Sequence, residues 1–347
     1  MPRVLVAMSG GVDSSVAALS LKEKGFDVIG ITMRLFCYSG TETSPKSCCS
    51  TEAINDAKAV AEKLGIPHYV VDLEKEFEKE VIGDFVKEYL EGKTPNPCVR
   101  CNQVIKFGYL MDKAKEYDAE FLATGHYARI INNELYKGVD NSKDQSYFLY
   151  GIKKDYLSKI LFPVGELEKI EVRRLAEERG LVTAKKPESQ EICFIPDNNY
   201  PAFLKNRLDK MEVKSGAILD KLGKVVGEHK GLPFYTIGQR RGIDVPGTEV
   251  WYVISIDVKN NSLVIGKEED LESREVKAVH LNWLADVGQA FKANAKIRYN
   301  MMEKSGKGEL EDKKVRFIFE EPVRAVTPGQ SIVFYDKDRV LGGGIIE

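Results

Sequence analysis

The 347-residue sequence lacks any stretch of roughly 18 or more apolar residues, the length that a transmembrane helix needs. Residues 1–11 hold only a short apolar run before a glycine pair, so no signal peptide is predicted either. Internal repeats and low-complexity segments are also absent. These absences argue against a membrane protein and predict a cytoplasmic one of several domains.

An excess of charge of one sign is lacking too. Lys and Arg number 51 against 53 Asp and Glu, a formal net charge of −2, so the chain as a whole has no field that attracts a polyanion. A nucleic-acid partner would have to be held by local patches. The candidates are four basic pairs: Lys153 and Lys154, Arg173 and Arg174, Lys185 and Lys186, and Arg240 and Arg241, of which the last is favoured.

Cysteine is scarce, with six residues at positions 37, 48, 49, 98, 101 and 193. In a reducing compartment these do not form a disulfide framework, and cysteines that cluster serve instead as metal ligands, cluster ligands or reactive thiols. Cys98 and Cys101 stand three apart in PNPCVRCNQ, residues 95–103. The spacing alone fits a zinc half-site, a redox pair, an iron–sulfur half-site or a catalytic thiol with a neighbour.

The first third of the chain alternates strands with helices. Apolar runs predict strands at residues 4–8, 26–35, 68–73 and 121–127, with helices at 14–24 and 53–64 and a further helix whose apolar face runs from Phe77 to Tyr89. This alternation predicts a doubly wound α/β domain with a parallel sheet. Segment 36–50, long, small and polar, is expected to be mobile and to cover a site.

From about residue 215 the pattern changes to short apolar runs separated by turn signals. LDKLGKVVG, VKNNSLVIG and YDKDRVLGGG predict hairpins, and residues 251–256 and 315–319 predict strands. The last third is therefore expected to be mostly antiparallel β structure.

SGGVDSS, residues 9–15, follows the first predicted strand and opens the first helix. Glycines there let backbone N–H groups form an anion-binding nest, to which the helix N-terminus and the serine hydroxyls add further attraction. Asp13 fits such a cradle if Mg²⁺ or another cation lies between it and the phosphates. An ordinary glycine-rich turn is the alternative, and the place at the first strand–helix junction favours phosphate binding.

SGGVDSS resembles the pyrophosphatase loop of the N-type ATP-pyrophosphatases, which cleave ATP between its α and β phosphates to adenylate a substrate. Four further stretches are TGHYAR (124–129), KDQSYFL (143–149), EICFI (191–195) and YTIGQRRGI (235–243). In this order and spacing they resemble the bacterial tRNA-specific 2-thiouridylases, the MnmA (TrmU) family. The resemblance continues to TPGQS, residues 327–331.

The resemblance implies three domains: an N-type ATP-pyrophosphatase domain over residues 1–208, a central linking β domain over 209–273 and a C-terminal, tRNA-contacting β-barrel over 274–347. It implies an enzyme that replaces the C2 oxygen of the wobble uridine with sulfur in tRNAs for glutamate, glutamine and lysine. ATP would adenylate the uracil oxygen, sulfur would attack C2 and AMP would leave. A relay protein or inorganic sulfide would supply the sulfur, and the base would be flipped into a pocket.

The resemblance also assigns roles to residues. ATP phosphates and Mg²⁺ would be held by Ala7, Met8, Ser9, Gly10, Gly11, Val12, Asp13 and Ser14. Met33 and Gly125 would be further nucleotide contacts. The pocket for the target base would be lined by Asn96, Pro97 and Cys98. The tRNA contacts would be His126, Lys143, Asp144, Gln145, Arg298, Tyr299 and Gln330. Cys101 matches the family's nucleophile and Cys193 its persulfide-carrying cysteine.

At two places the sequence departs from the commonest family pattern. The residue three before the nucleophile is often Asp, where this chain has Cys98, and the second cysteine lies in SQEICFIP rather than Gly-Ile-Cys-Phe-Ile-Gly. A Cys193 persulfide resolved by Cys101 is one scheme. A 4Fe–4S cluster on Cys98, Cys101 and Cys193, with one open iron that delivers hydrosulfide, is the other and is favoured at this stage. A packing role for Cys98 is the third reading.

The adjacent Cys48 and Cys49 argue against an all-cysteine zinc site, and the context of Cys98 and Cys101 is not that of a thioredoxin-type pair. Two rival functions stay open. One is another adenylating ligase with the same phosphate loop, and the other is a non-catalytic tRNA-binding protein with a vestigial nucleotide site.

Overall fold

A computed structural model describes residues 1–36, 51–188, 192–195, 199–208 and 213–347. Nearly all of the predicted cover segment 36–50 lies outside these ranges, as do Cys37, Cys48 and Cys49. Within these ranges no helix combines the length and the apolar character needed to cross a bilayer.

The first domain contains a five-stranded parallel sheet. The strands of this part of the chain are β1 (Arg3–Ala7), β2 (Asp27–Arg34), β3 (His68–Asp72), β4 (Phe121–Thr124), β5 (Ala128–Ile131), β6 (Glu134–Lys137) and β7 (Ile160–Leu161). The sheet has the order β3-β2-β1-β4-β7. The predicted doubly wound parallel sheet is thus confirmed, although β4 ends at Thr124 rather than at residue 127 as predicted.

Helices cover both faces of this sheet. They are α1 (Val12–Glu23), α2 (Thr51–Leu64), α3 (Glu74–Phe77), α4 (Gly83–Leu90), α5 (Pro97–Arg100), α6 (Leu110–Glu116), α7 (Lys169–Glu178) and α8 (Tyr200–Leu208). Val4 and Val6 of β1 pack with α1, α2 and α7, whereas Leu5 packs with Phe107 and α6 on the opposite face. An apolar run is needed here because a central parallel strand is buried on both sides.

Two helices contain π-helical segments. Residues Glu78–Ile82 join α3 to α4, and Cys101–Tyr109 join α5 to α6. Asn96 begins α5, because its Oδ1 accepts a hydrogen bond from the Val99 N–H at 3.2 Å and Pro97 occupies the first helical position. The π-helical segment that follows α5 begins at Cys101. Short π-helical segments are frequent at functional sites.

The central and C-terminal parts are β structure, as predicted. Their strands are β8 (Gly216–Leu219), β9 (Val225–His229), β10 (Tyr252–Asp257), β11 (Ser262–Gly266), β12 (Glu272–Trp283), β13 (Ala290–Lys296), β14 (Lys304–Glu311), β15 (Lys314–Arg324), β16 (Ser331–Asp336) and β17 (Arg339–Ile346). The three predicted hairpins are β8–β9, β10–β11 and β16–β17, all antiparallel. Strands β12 to β17 close into a barrel through the pairing of β12 with β17.

The hairpin β5–β6 was not predicted. It leaves the first domain and extends the sheet of the barrel, because β6 pairs with β17 at Tyr136 and Arg339. The Lys137 N–H also donates to the Asp338 carbonyl at 2.8 Å. One hydrophobic core accordingly contains Leu135 and Tyr147 together with Val333 and Tyr335 of the barrel.

Candidate active site

The phosphate loop lies at the carboxyl end of β1, where it turns into α1. Gly10 has a φ of +69°, and a Cβ there would lie 2.2 Å from the Ala53 carbonyl oxygen, so glycine is required. The Ser9 N–H donates to Ser14 Oγ at 3.1 Å, and the hydroxyls of Ser14 and Ser15 donate to the Gly11 carbonyl at 3.0 and 2.9 Å. Gly11 precedes α1 and has no side chain to cap it, which leaves the helix N-terminus suited to an anion.

Asp13 faces a lysine that the sequence analysis did not select. The Nζ of Lys169 lies 2.7 and 2.8 Å from the two Asp13 carboxylate oxygens and 3.1 Å from Glu188 Oε1. Lys169 is the first residue of α7 and is only 8% exposed. The loop itself contains no lysine, so Lys169 brings a buried cation to the place where the phosphates are expected.

Two groups complete this charged cluster. The Tyr127 hydroxyl donates to Asp13 Oδ1 at 2.7 Å, and burial, together with the charge of Asp13, raises the pKa of Tyr127. Burial acts to raise the pKa of Glu188, but hydrogen bonds from Lys143 and Lys169 outweigh it and the pKa is lowered overall. Around Lys169 there are thus two carboxylates and one neutral phenol.

One predicted nucleotide contact borders this loop, and another lies on the same edge of the sheet. A Cβ at Gly125 would lie 2.6 Å from the Ser14 N and 2.7 Å from the Asp13 carbonyl carbon, so this glycine permits close packing against the loop. Met33 lies beyond the last β1–β2 pair, Ala7 with Ile31, and is half-buried beside Val71 of β3. The main chain of Met33 is therefore at the carboxyl edge of the sheet, where ligands of such folds bind. Both roles stay predictions.

The cysteines differ in their surroundings. Cys98 is exposed, Cys101 is 8% exposed and Cys193 is half-buried. Cys101 belongs to a hydrophobic cluster that includes Phe77 and Phe194, and Cys193 packs against the same cluster. Chain segments that are 92 residues apart in sequence (193 − 101) are thus brought to one place.

The three cysteines do not form a ready metal site. Among the residues that the structure describes, no group of three or more His, Cys, Asp or Glu side chains is arranged to hold a metal ion. A three-cysteine cluster has no support from the described side chains and stays a prediction. Mg²⁺ is a different case, since it takes one or two carboxylates and completes its shell with substrate phosphates and water, which Asp13 fits.

Asn102, which follows Cys101, is a second residue of interest to which the sequence pattern assigned no role. Its side chain is 4% exposed, and its Nδ2 donates to the Phe148 carbonyl at 3.1 Å. Among the described residues its Oδ1 is a buried acceptor without a hydrogen-bond partner. Such an atom beside a candidate nucleophile is unusual, because buried polar atoms are nearly always paired.

His126 is buried rather than exposed towards a partner. Its ring lies 6.0 Å from the rings of both Phe107 and Phe162, and its Nδ1 is 2.7 Å from the Thr124 hydroxyl. Burial, reinforced by the nearby Lys106 ammonium, holds the pKa of His126 well below its usual range. The imidazole is neutral at pH 7, and its predicted contact with tRNA stays a prediction.

The neighbouring predicted contacts are engaged within the protein. Asp144 is buried and accepts hydrogen bonds from the N–H groups of Gly138 and Ser146, so it is not an exposed surface charge. Lys143 donates to Glu188 at 2.8 Å. Gln145 accepts from the Tyr127 N–H at 3.0 Å. These bonds link the stretch to the charged cluster around Asp13.

The predicted contacts in the barrel lie beside the first domain. Tyr299 packs on Phe148 with a 4.6 Å distance between ring centroids. Arg298 donates to the Arg324 carbonyl at 2.8 Å, and burial lowers the pKa of Arg298. Gln330 reaches the backbone just before α5. The barrel therefore borders the cysteine-bearing segment.

Known proteins and family models match the chain over nearly its whole length. Three family models match it: a tRNA methyl transferase HUP domain over residues 2–197, a tRNA methyl transferase PRC-barrel domain over 201–267 and an aminomethyltransferase beta-barrel domain over 273–346. The chain is 52% identical to tRNA-specific 2-thiouridylase MnmA 2 of Thermoanaerobacter sp. (strain X514), with 99% of this chain and 98% of that protein covered. It is 46% identical to tRNA-specific 2-thiouridylase MnmA of Carboxydothermus hydrogenoformans, with 99% and 97% covered.

One of the solved structures that resemble the chain is more distant than these relatives. The crystal structure of a 4-thiouridine synthetase–RNA complex with bound ATP is 16% identical to the chain, with a TM-score of 0.38, and covers 60% of this chain and 51% of that one. A likeness of this size supports no inference about function.

Proposed function

Since the chain belongs to the tRNA-specific 2-thiouridylase (MnmA) family, and is therefore an ATP-dependent tRNA sulfurtransferase, we propose that it thiolates C2 of the wobble uridine in tRNAs for glutamate, glutamine and lysine. The observation that supports this most directly is that one domain carries both the phosphate loop, with the buried Lys169 beside Asp13, and the hydrophobic cluster that contains Cys101 and packs against Cys193. The exposed Arg240 and Arg241 are proposed to bind tRNA phosphates.

Adenylation is the first step. The uracil C2 oxygen is a poor leaving group, and transfer of AMP from ATP converts it into a good one while pyrophosphate departs. The N–H groups of the loop and of the α1 N-terminus are proposed to bind the phosphates, with Lys169 neutralising charge that accumulates on the departing pyrophosphate. Mg²⁺, which Asp13 would hold, would supply further neutralisation of charge.

Sulfur transfer is the second step. A persulfide on Cys193 attacks C2, the C2–O bond breaks and AMP leaves, so that the base is joined to Cys193 through a disulfide. The Cys101 thiolate then attacks Cys193 Sγ, which releases 2-thiouridine and forms a Cys101–Cys193 disulfide. A thiol reductant reopens this disulfide, and the sulfur donor restores the persulfide. The shared hydrophobic cluster of the two cysteines supports this order.

The persulfide route predicts that iron is dispensable. Wild-type protein purified without oxygen is expected to contain no stoichiometric iron or sulfide and to thiolate tRNA with a persulfide donor, because Cys98 is exposed and the described side chains offer no group arranged to hold a metal. Cys98→Ala should behave like the wild type in metal analysis. About four irons per chain in the wild type, lost together with activity in Cys98→Ala, would establish the cluster instead.

The function itself is tested by mass spectrometry. Unmodified tRNA incubated with protein, ATP, Mg²⁺ and either sulfide or a persulfide donor is expected to gain 2-thiouridine, with release of AMP and pyrophosphate. Omission of ATP is the control. ATP-dependent formation of a different adduct would favour the rival ligase, and tRNA binding without any product would favour the non-catalytic rival.

A further inference from the structure

The segment that leads into α5 is held by the barrel. The Thr94 N–H donates to the Pro328 carbonyl at 2.8 Å, and Gln330 Nε2 donates to the carbonyls of Thr94 at 2.8 Å and Pro95 at 3.1 Å. A Cβ at Gly329 would lie 2.9 Å from both the N and the O of Thr94. Residues 328–330 therefore form a close backbone-to-backbone contact with residues 94–95.

The central domain holds the same segment from another side. The Thr94 hydroxyl donates to the Thr236 hydroxyl at 3.3 Å. Gly92 has a φ of +69°, and a Cβ there would lie 2.6 Å from Val258 and 3.0 Å from Ile256. All three domains thus meet at residues 92–95, which immediately precede the helix with Cys98 and Cys101.

The contact continues to the start of α5. The Pro95 carbonyl that Gln330 binds belongs to the residue directly before Asn96, and the Tyr147 hydroxyl donates to the Ser331 carbonyl at 2.9 Å, next to Gln330. Asn96 in turn caps α5 through the Val99 N–H. A displacement of residues 328–331 would therefore be transmitted to the first turn of the helix that carries the cysteines.

The amide of Gln330 has two N–H donors, and the two carbonyls of residues 94 and 95 use both of them. Only the Oε1 of Gln330 is left for a contact with tRNA. From these contacts we infer that Gln330 is a positioning residue: it holds residues 94–95, and through them Cys98 and Cys101, in the place where sulfur transfer occurs. The inference rests on the proposed function.

Gln330→Met removes the donors at nearly unchanged length. It is expected to lower the rate of sulfur transfer in a single turnover by about 10- to 100-fold, since small misplacements of reacting groups have effects of this size. The dissociation constant for tRNA should rise by no more than the roughly tenfold that the loss of one hydrogen bond from Oε1 costs, and the rate of adenylation at saturating tRNA should stay within about twofold of the wild type. Gln289→Met, the same change at an exposed position of the barrel, is the control.

A second readout does not depend on catalysis. Iodoacetamide should alkylate the buried Cys101 faster in the reduced Gln330→Met protein than in the wild type. Peptide mass spectrometry measures the rate of this alkylation. Gly329→Ala, which pushes on Thr94 from the same loop, should show the same two effects, with thermal unfolding as the test of folding. Unchanged alkylation in both variants would overturn the inference, as would a loss confined to tRNA affinity. Because alkylation is measured without tRNA, its outcome is separable from a failure of the proposed function.

Discussion

Replacing Cys101 with alanine is expected to lower the formation of 2-thiouridine by more than about 10³-fold, because the second step then lacks the thiolate that attacks Cys193 Sγ and releases the product. Adenylation should continue, since the phosphate loop and Lys169 are unchanged. The attack of the Cys193 persulfide on C2 should continue as well, so the tRNA should accumulate as a disulfide adduct on Cys193, detected by non-reducing gel electrophoresis, with AMP and pyrophosphate released without 2-thiouridine. Cys193→Ala is expected to stop one step earlier and to accumulate adenylated tRNA, detected as incorporation of AMP label into tRNA.

Cys101 is also part of a packed cluster, so a packing control is needed. Ile105→Val removes one methylene from the same cluster and from the same π-helical segment without touching a thiol. It should lower the free energy of unfolding by about 0.5–1.5 kcal/mol and leave thiolation within a few-fold of the wild type. Normal thiolation by Cys101→Ala would remove this residue from the mechanism.

Lys169→Ala is expected to impair adenylation, the step that the cysteine variants leave intact. Without the ammonium, the Asp13 carboxylate loses its lysine partner beside the expected phosphates, while Glu188 keeps Lys143, and adenylation should fall by about 10²- to 10³-fold. Binding of tRNA should be unaffected. Pyrophosphate release under saturating tRNA measures the first effect, and filter binding measures the second.

Two further variants test whether the loss of adenylation is specific to the charge of Lys169. Lys115→Ala removes an exposed lysine paired with Asp112 and is expected to leave adenylation unchanged. Lys169→Arg retains the charge and should recover part of the rate. If Lys169→Ala lowered the unfolding temperature but adenylated tRNA at the wild-type rate, the residue would be a partner of Asp13 in folding only.

Local patterns predicted much of this arrangement. The sequence between β1 and α1 specifies the phosphate loop because each step, apolar strand, glycine turn and helix, is local in the chain. Lys169 could not be found in this way, because it meets Asp13 across 156 residues. Its position at the start of α7 looks like an ordinary helix end until the tertiary fold is known.

The cysteines show the same limit. Two cysteines with two residues between them predict shared chemistry, yet α5 places Cys98 on the surface and Cys101 in the core. That separation comes from the capped helix that starts at Asn96 and from the cluster around Phe194, neither of which the spacing of the cysteines contains. The orphaned Oδ1 of Asn102 is likewise visible only once its neighbours are placed.

The hairpin β5–β6 limits how this chain can be shortened. A protein cut before β12 would keep β6 but lose β17, its hydrogen-bonding neighbour, and would expose Leu135 and Tyr147 to water. An uncovered strand edge beside apolar side chains is a template for self-association. The catalytic domain is therefore expected to aggregate when expressed alone. In the full chain, the barrel covers this strand edge.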